Sequence, residues 1–277
     1  MGRVEKRLYK RRCKRVRALR LALTGIVVVA VMLVIARRLP KNFVSEPIGG
    51  AEHTPKSSAF DQRVETREIT LAEETWYAIQ TGVFSTREAS EEKANAYTSR
   101  GAPGTIVQDG NKWRVFIACY ESETDASAVR TRLASNQKVD TYLYAWKCPE
   151  VQLRLTGKVS QMDAVEAGFT LLSSSAAALR DAAISLDAAQ CTTAEAEAEV
   201  TALTDAVKLW EDTVHQRFGR SIPDLVKGMM TMTANWQARQ ASIGKATSAT
   251  ELSATLKAEA MSMYDELIRW RNALLAQ

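Results

Sequence analysis

Histidine is almost missing from this 277-residue chain, cysteine is scarce, and no catalytic motif occurs in it. His53 and His215 are the only histidines. With Cys13, Cys119, Cys148 and Cys191 they form no zinc-type spacing, so no metal is expected. Four cysteines do not make a disulfide scaffold. Past Cys13 three remain, an odd number, so at most one internal pair can form. There is no H-E-x-x-H, no G-x-S-x-G, no P-loop and no Cys–His pair beside an orienting acid. Metallohydrolase, serine-hydrolase and nucleotide chemistries are thereby excluded, and the expectation is a binding protein, not an enzyme, with no cofactor.

What is present begins with residues 21–36, LALTGIVVVAVMLVIA, an uncharged stretch. As a helix it spans roughly 24 Å, short of a ~30 Å hydrocarbon core, and Arg20 and Arg37 extend it by laying their stems along it. Residues 1–20 hold ten Lys and Arg against Glu5 alone, so the +5 of the whole chain belongs to this tail. Basic residues before an apolar span place the N-terminus inside and the remainder outside. No small-x-small cleavage site follows, only Arg37, Arg38, Leu39 and Pro40. The expectation is a basic cytoplasmic tail over 1–20, one transmembrane helix over 21–36 in a lipid bilayer, and an external remainder. Residues 37–74 carry three of the six prolines and few apolar residues, which predicts a flexible linker.

From Trp76 the composition changes: ten of the nineteen aromatics lie between 76 and 146. Residues 75–84 alternate as a strand, with Tyr77 and Ile79 on one face and Trp76, Ala78, Gln80 and Gly82 on the other. Ser85-x-x-Glu88 is a capping box for a helix burying Ala89, Ala96 and Tyr97, and Gly101 closes that helix. Asp109-Gly110 marks a hairpin between 105–108 and 112–120. A second helix opens near Ser122, with Ala126, Val129 and Leu133 inward, and 140–146 is a last strand. The order βαββαβ predicts a split sandwich, RNP-like: a four-stranded antiparallel sheet with two helices on one face and the other face open to solvent or ligand.

Two motifs in register, Gln80-x-Gly82-x-Phe84 and Arg114-Val-Phe-Ile-Ala-Cys-Tyr120, with Gly101 between them, make residues 75–147 resemble the SPOR domain. The third strand departs from that family's pattern at Ala118, Cys119 and Tyr120, where Gly, Pro and Phe are usual. The resemblance implies binding of peptidoglycan, in particular denuded glycan strands, at division or sporulation septa, and hence a single-pass protein of the bacterial cytoplasmic membrane. The overall order of parts also resembles the stage II sporulation protein B type. By the family pattern the ligand face carries Gln80, Val83, Lys112, Arg114 and Phe116. Tyr142 and Tyr144 on the last strand join them, opposite Leu143. Amide, guanidinium and aromatic groups are the chemistry sugar binding needs, since amides and guanidinium donate to hydroxyl, carboxyl and acetamido oxygens and rings offer flat apolar platforms. Trp113, Tyr77 and Tyr97 are expected to be core.

RNA-binding modules share this element order, but nine basic residues against eight acidic ones between 75 and 147 leave no phosphate-tracking charge, so no nucleic-acid partner is expected. Residues 155–277 then read as an antiparallel all-α bundle. Helical seams are spaced by three and four residues: Val165, Phe169, Leu172 and Ala176; Val200, Leu203, Val207 and Trp210; Val226, Met229, Met232 and Trp236; Leu252, Leu256, Ala260 and Met263. Ser160-x-x-Asp163, Thr192-x-x-Glu195, Pro223 and Ser248-x-x-Glu251 mark their starts. A protein partner or self-association through 155–277 is left open. The alternative function is a membrane-anchored protein–protein interaction scaffold acting through these helices.

Overall fold

The computed structural model describes residues 63–276. These residues run β1 (Val64–Leu71), β2 (Glu74–Phe84), α1 (Arg87–Thr98), β3 (Thr105–Asp109), β4 (Lys112–Tyr120), α2 (Glu123–Gln137), β5 (Tyr142–Cys148), β6 (Val151–Lys158), α3 (Val159–Asp187), α4 (Thr193–Phe218), α5 (Asp224–Ile243) and α6 (Ala249–Leu275). The fold is α+β. β2 to β5 pair antiparallel in the order β3-β4-β2-β5, and α1 and α2 cover one face through Ile79, Tyr97, Ile117 and Ala126, with Tyr77, Leu133 and Leu143 packed against them. Helix α1 starts on Thr86, whose hydroxyl accepts from Ala89 N at 3.3 Å. Its buried stripe is Ser90, Ala94 and Tyr97, replacing the expected Ala89 and Ala96. Tyr97 sets that stripe, and the residues three and seven before it lie on the same side. Gly101, at φ +80°, ends the turn in a backbone region that side chains with a Cβ rarely adopt.

The expectation of one membrane-spanning helix is corrected. Among the described residues no helix is long and apolar enough to cross a membrane, because even the most apolar, α3, is broken up by Asp163, Glu166, Arg180 and Asp181. The stretch 21–36 lies outside the described residues. The expected single-pass placement in the cytoplasmic membrane goes with it.

Two strands were not foreseen. Residues 64–71 belong to the stretch expected as linker, yet they pair with β6 in a separate two-stranded antiparallel ribbon, Leu71 opposite Val151 and Ile69 opposite Leu153. Each ribbon strand continues a sheet strand after a two-residue break, since Glu74 of β2 pairs with Cys148 of β5. The buried Arg271 of α6 fills the break. It donates to Ala72 O at 2.7 Å, Pro149 O at 3.2 Å and the Glu74 carboxylate at 2.8 Å. Charges hid β1 from the sequence reading. Arg67, on its inward side, is held by Asp163 and Glu166 of α3 at 2.9 and 3.1 Å.

The second sheet face is not open along its length, which corrects the expectation of a solvated face. Helices α3 to α6 pack into one apolar core with it, uniting Trp76, Ala78, Phe116, Cys119 and Trp146 with Phe169, Leu179, Leu256, Ala260 and Tyr264. Tyr264 of α6 stacks on Trp76 with ring centroids 4.0 Å apart and planes 1° from parallel. It meets Trp146 edge-on at 5.2 Å. The Arg180 guanidinium of α3 lies 4.6 Å from the Trp76 ring centroid. Within the helices, α3 and α6 form the central pair, α4 flanking α3 and α5 flanking α6. Helix α3 buries sixteen of its 29 residues, far more than a narrow seam, because it is enclosed by α4, α6 and the ribbon at once. Ala and Ser positions allow this close approach. At Gly168 a Cβ would fall 2.3 Å from Met229 Cε and 2.7 Å from the Trp210 ring.

Candidate functional site

Residues paired across antiparallel strands point to the same side of the sheet. Gln80 pairs with Phe116 and with Tyr142, Val83 with Arg114, and Ala78 with Tyr144; Lys112 stands two residues before Arg114. All seven residues singled out in the sequence therefore share one face. Two irregularities in the β2–β4 ladder, between Ile79 and Gln80 and between Gln80 and Gly82, decide this. They bring Val83 onto the face of Gln80 and turn Gly82 away with Val115, whereas strict alternation had kept Gln80 and Gly82 together.

The seven separate into a covered and an uncovered set. Phe116 is fully buried, 5.2 Å from Trp146 and 5.6 Å from Tyr144 between ring centroids. Trp76 and Trp146 lie beneath Tyr264, so this half of the face packs against protein. At the other end, formed by the last residues of β2 and β3 and the first of β4 and β5, Tyr142 is 64 % exposed and Val83 43 %. Lys112 is exposed and its Nζ donates to Ser85 Oγ at 3.4 Å.

Between the halves sits a polar knot. Arg114 Nη1 donates to the side-chain oxygen of buried Gln80 at 2.7 Å, and Arg114 Nε donates to Asp109 Oδ2 at 2.7 Å. The guanidinium lies 4.4 Å from the Tyr144 ring centroid, in cation–π range, and the Tyr144 hydroxyl donates to the same Asp109 oxygen at 3.1 Å. Burial pushes the Tyr144 phenol above its usual range and the Asp109 charge adds to it. Gln80 and Tyr144 are thus committed largely to holding Arg114, leaving Tyr142 as the open ring. Chemically the end of the sheet offers guanidinium N–H donors in a fixed plane, a carboxylate, an ammonium group and one exposed aromatic face.

Asp109 is the member the sequence reading missed, because Asp109-Gly110 was read only as a turn signal. Val107 pairs with Arg114, so Asp109 stands diagonally from Arg114 on the same face; an acidic residue at that offset in a hairpin is the signal that could have found it. Trp113 is only partly buried on the other face, with the Arg87 guanidinium 5.6 Å from its ring centroid. Tyr77 and Tyr97 lie in the core beneath α1 and α2. Among the described residues no group of three or more His, Cys, Asp or Glu side chains could hold a metal ion, and Cys119, Cys148 and Cys191 are all free thiols.

No curated protein and no solved structure matches the chain. A family model does, over the sheet and its two helices: residues 73–145 of this chain match the SPOR domain.

Proposed function

We propose that this SPOR domain binds peptidoglycan, in particular glycan strands stripped of their stem peptides, and brings the protein to division or sporulation septa. The observation that carries the reading is the uncovered end of the sheet. There Arg114 is locked by Gln80, Asp109 and Tyr144 beside the exposed ring of Tyr142. Glycan offers flat apolar sugar faces ringed by hydroxyl and acetamido oxygens, which suit an aromatic platform flanked by fixed donors. In this reading Val83, Lys112, Arg114 and Tyr142 touch the ligand, Gln80 and Tyr144 hold Arg114, and Phe116 supports the sheet from below. Most apolar residues of 155–277 are spent on the helices' own core and on the sheet, which favours this reading over a docking scaffold.

Retention of the purified chain on peptidoglycan before and after amidase stripping tests this. Retention is expected to rise on the stripped polymer. The double variant Gln80→Ala, Arg114→Ala is expected to lose at least fivefold of it while unfolding as cooperatively as the parent. Equal and negligible retention on both polymers refutes the reading.

A further inference from the structure

We propose that Lys112 is a specificity-determining residue of this site, and that it reads the carboxylate which stripping leaves on the glycan at each former stem position. The inference rests on the peptidoglycan reading above and adds to it the group that separates stripped from intact strands. While a stem peptide is attached, the sugar carries a neutral amide at that position. Hydrolysis of the amide by water leaves a carboxylate on the sugar and an amine on the departing peptide. The stripped strand therefore gains one negative charge on its sugars for each stem lost, and a site that prefers it gains by keeping a cation free for that charge.

Two cations stand among the seven face residues, and their surroundings differ. Arg114 is paired with Asp109 at 2.7 Å and is held further by Gln80 and Tyr144, so its charge is compensated within the protein. Lys112 lies opposite Asp109 in the β3–β4 ladder, yet Asp109 Oδ2 is taken by Arg114 and the Tyr144 hydroxyl. The Lys112 ammonium turns instead to the neutral Ser85 hydroxyl at 3.4 Å, and among the described residues no carboxylate pairs with it. These three side chains together keep one positive charge, and it sits on Lys112. Its place suits the ligand as well. Val83, Lys112 and Tyr142 are the exposed members of the seven; they stand on β2, β4 and β5, and β2 lies between the other two. A run of sugars laid on the Tyr142 ring and across Val83 reaches β4 two strand spacings, about 10 Å, from β5. The row offers a flat apolar surface and then, at its β4 side, an unpaired cation.

The test compares the full chain with Lys112→Gln and Lys112→Arg on two supports: amidase-stripped peptidoglycan, and the same polymer after its carboxylates are capped as amides with carbodiimide and ammonia. Any pull of the basic residues 1–20 on the polymer is common to all three chains and cancels in the comparison. Capping is expected to cost the parent about threefold more retention than it costs Lys112→Gln, the size of one exposed ion pair. That difference is expected to vanish as salt is raised. Lys112→Arg keeps the charge and is expected to respond to capping as the parent does. A lysine that merely shaped the hairpin would, when replaced by Gln, weaken retention on both supports by one factor and leave the response to capping intact. If capping costs the parent and Lys112→Gln the same factor, or costs neither anything, the role of Lys112 is refuted and the peptidoglycan reading stands. If the parent is retained on neither polymer, that reading falls and carboxylate recognition goes with it.

Discussion

Tyr264 offers the sharpest test of how this chain is put together. It stands in α6, more than a hundred residues after the last strand, yet its ring lies flat on Trp76, edge-on to Trp146, and its hydroxyl donates to the carbonyls of Glu74 and Trp146 at 3.0 and 3.1 Å. Tyr264→Phe removes the hydroxyl alone. It leaves two carbonyls at the β2–β5 end without their shared donor, a loss of about 1–2 kcal/mol. For a unit of this size that is about 2–8 °C in Tm. Tyr264→Ala removes the ring as well. Deleting a fully buried aromatic costs about 3–5 kcal/mol, which corresponds to about 6–20 °C in Tm.

Because a single apolar cluster joins sheet and helices, either loss should fall on both. Calorimetry of the parent should show one transition, moved as a whole by each variant. Hydrogen exchange should accelerate together in peptides from β4 and from α5, although neither contains the altered residue. Two resolved transitions in the parent, with only one displaced by Tyr264→Phe, would refute the argument that sheet and helices form one cooperative unit. Glycan retention is expected to survive Tyr264→Phe, because the proposed site lies at the opposite end of the sheet face.

Two further predictions follow from packing and burial. Gly168→Ala places a methyl 2.7 Å from the Trp210 ring, which cannot swing away because its Nε1–H is held by Ala164 O at 2.8 Å; a destabilisation of about 1–3 kcal/mol is expected, read as a lower urea midpoint at unchanged m-value. Burial pushes the Cys119 and Cys148 thiols up from 9.0 to about 12, so the unfolded chain releases these protons first as pH rises. The stability they contribute is complete below about pH 9 and is lost on the way to pH 12. Denaturant midpoints should fall over that window, and in the native state at pH 8 alkylation should reach the half-buried Cys191 before either of them; equal labelling of all three would refute their burial.

The local structure was readable because it is written in short-range chemistry. Thr192 and Glu195 exchange their backbone and side-chain bonds as a capping box, at 3.2 and 2.7 Å. Ser248 accepts from Glu251 N at 3.2 Å, and every apolar position of the α4 seam from Val200 to Trp210 is buried. What escaped was decided by partners distant in the chain. Strict alternation along β2 could not reveal the ladder shifts beside Gln80, so Gly82 was put on the wrong side. Arg67 and Glu65 disguised β1 as linker, since Arg67 pairs not only with Glu65 but with Asp163 and Glu166 nearly a hundred residues away. The aromatic set Trp76, Phe116 and Trp146 suits a sugar platform and a helix-packing surface equally well, and only the placement of α6 chooses between them.

One trace of that choice did stand in the sequence. The third strand departs from the SPOR pattern at Ala118, Cys119 and Tyr120, and this is where the helices come down. β4 continues in pairing with β2 through all three residues, Ala78 opposite Cys119 and Tyr77 opposite Tyr120. A proline in place of Cys119 would carry no N–H and a fixed φ, a poor fit to a strand still paired with β2 at that residue. Cysteine instead continues the extended backbone and offers a small apolar side chain, wholly buried in the cluster shared with α3 and α6 and within electrostatic reach of Arg180 and Lys257. Small size matters there, because Ala78 beside it is fully buried too and a bulkier pair would hold α6 away from the Trp76 ring. The departure and the covering helices thus meet at one place: the end of β4 is a seat for another layer. That layer leaves uncovered the end of the sheet with Arg114 and Tyr142, where the proposed site lies.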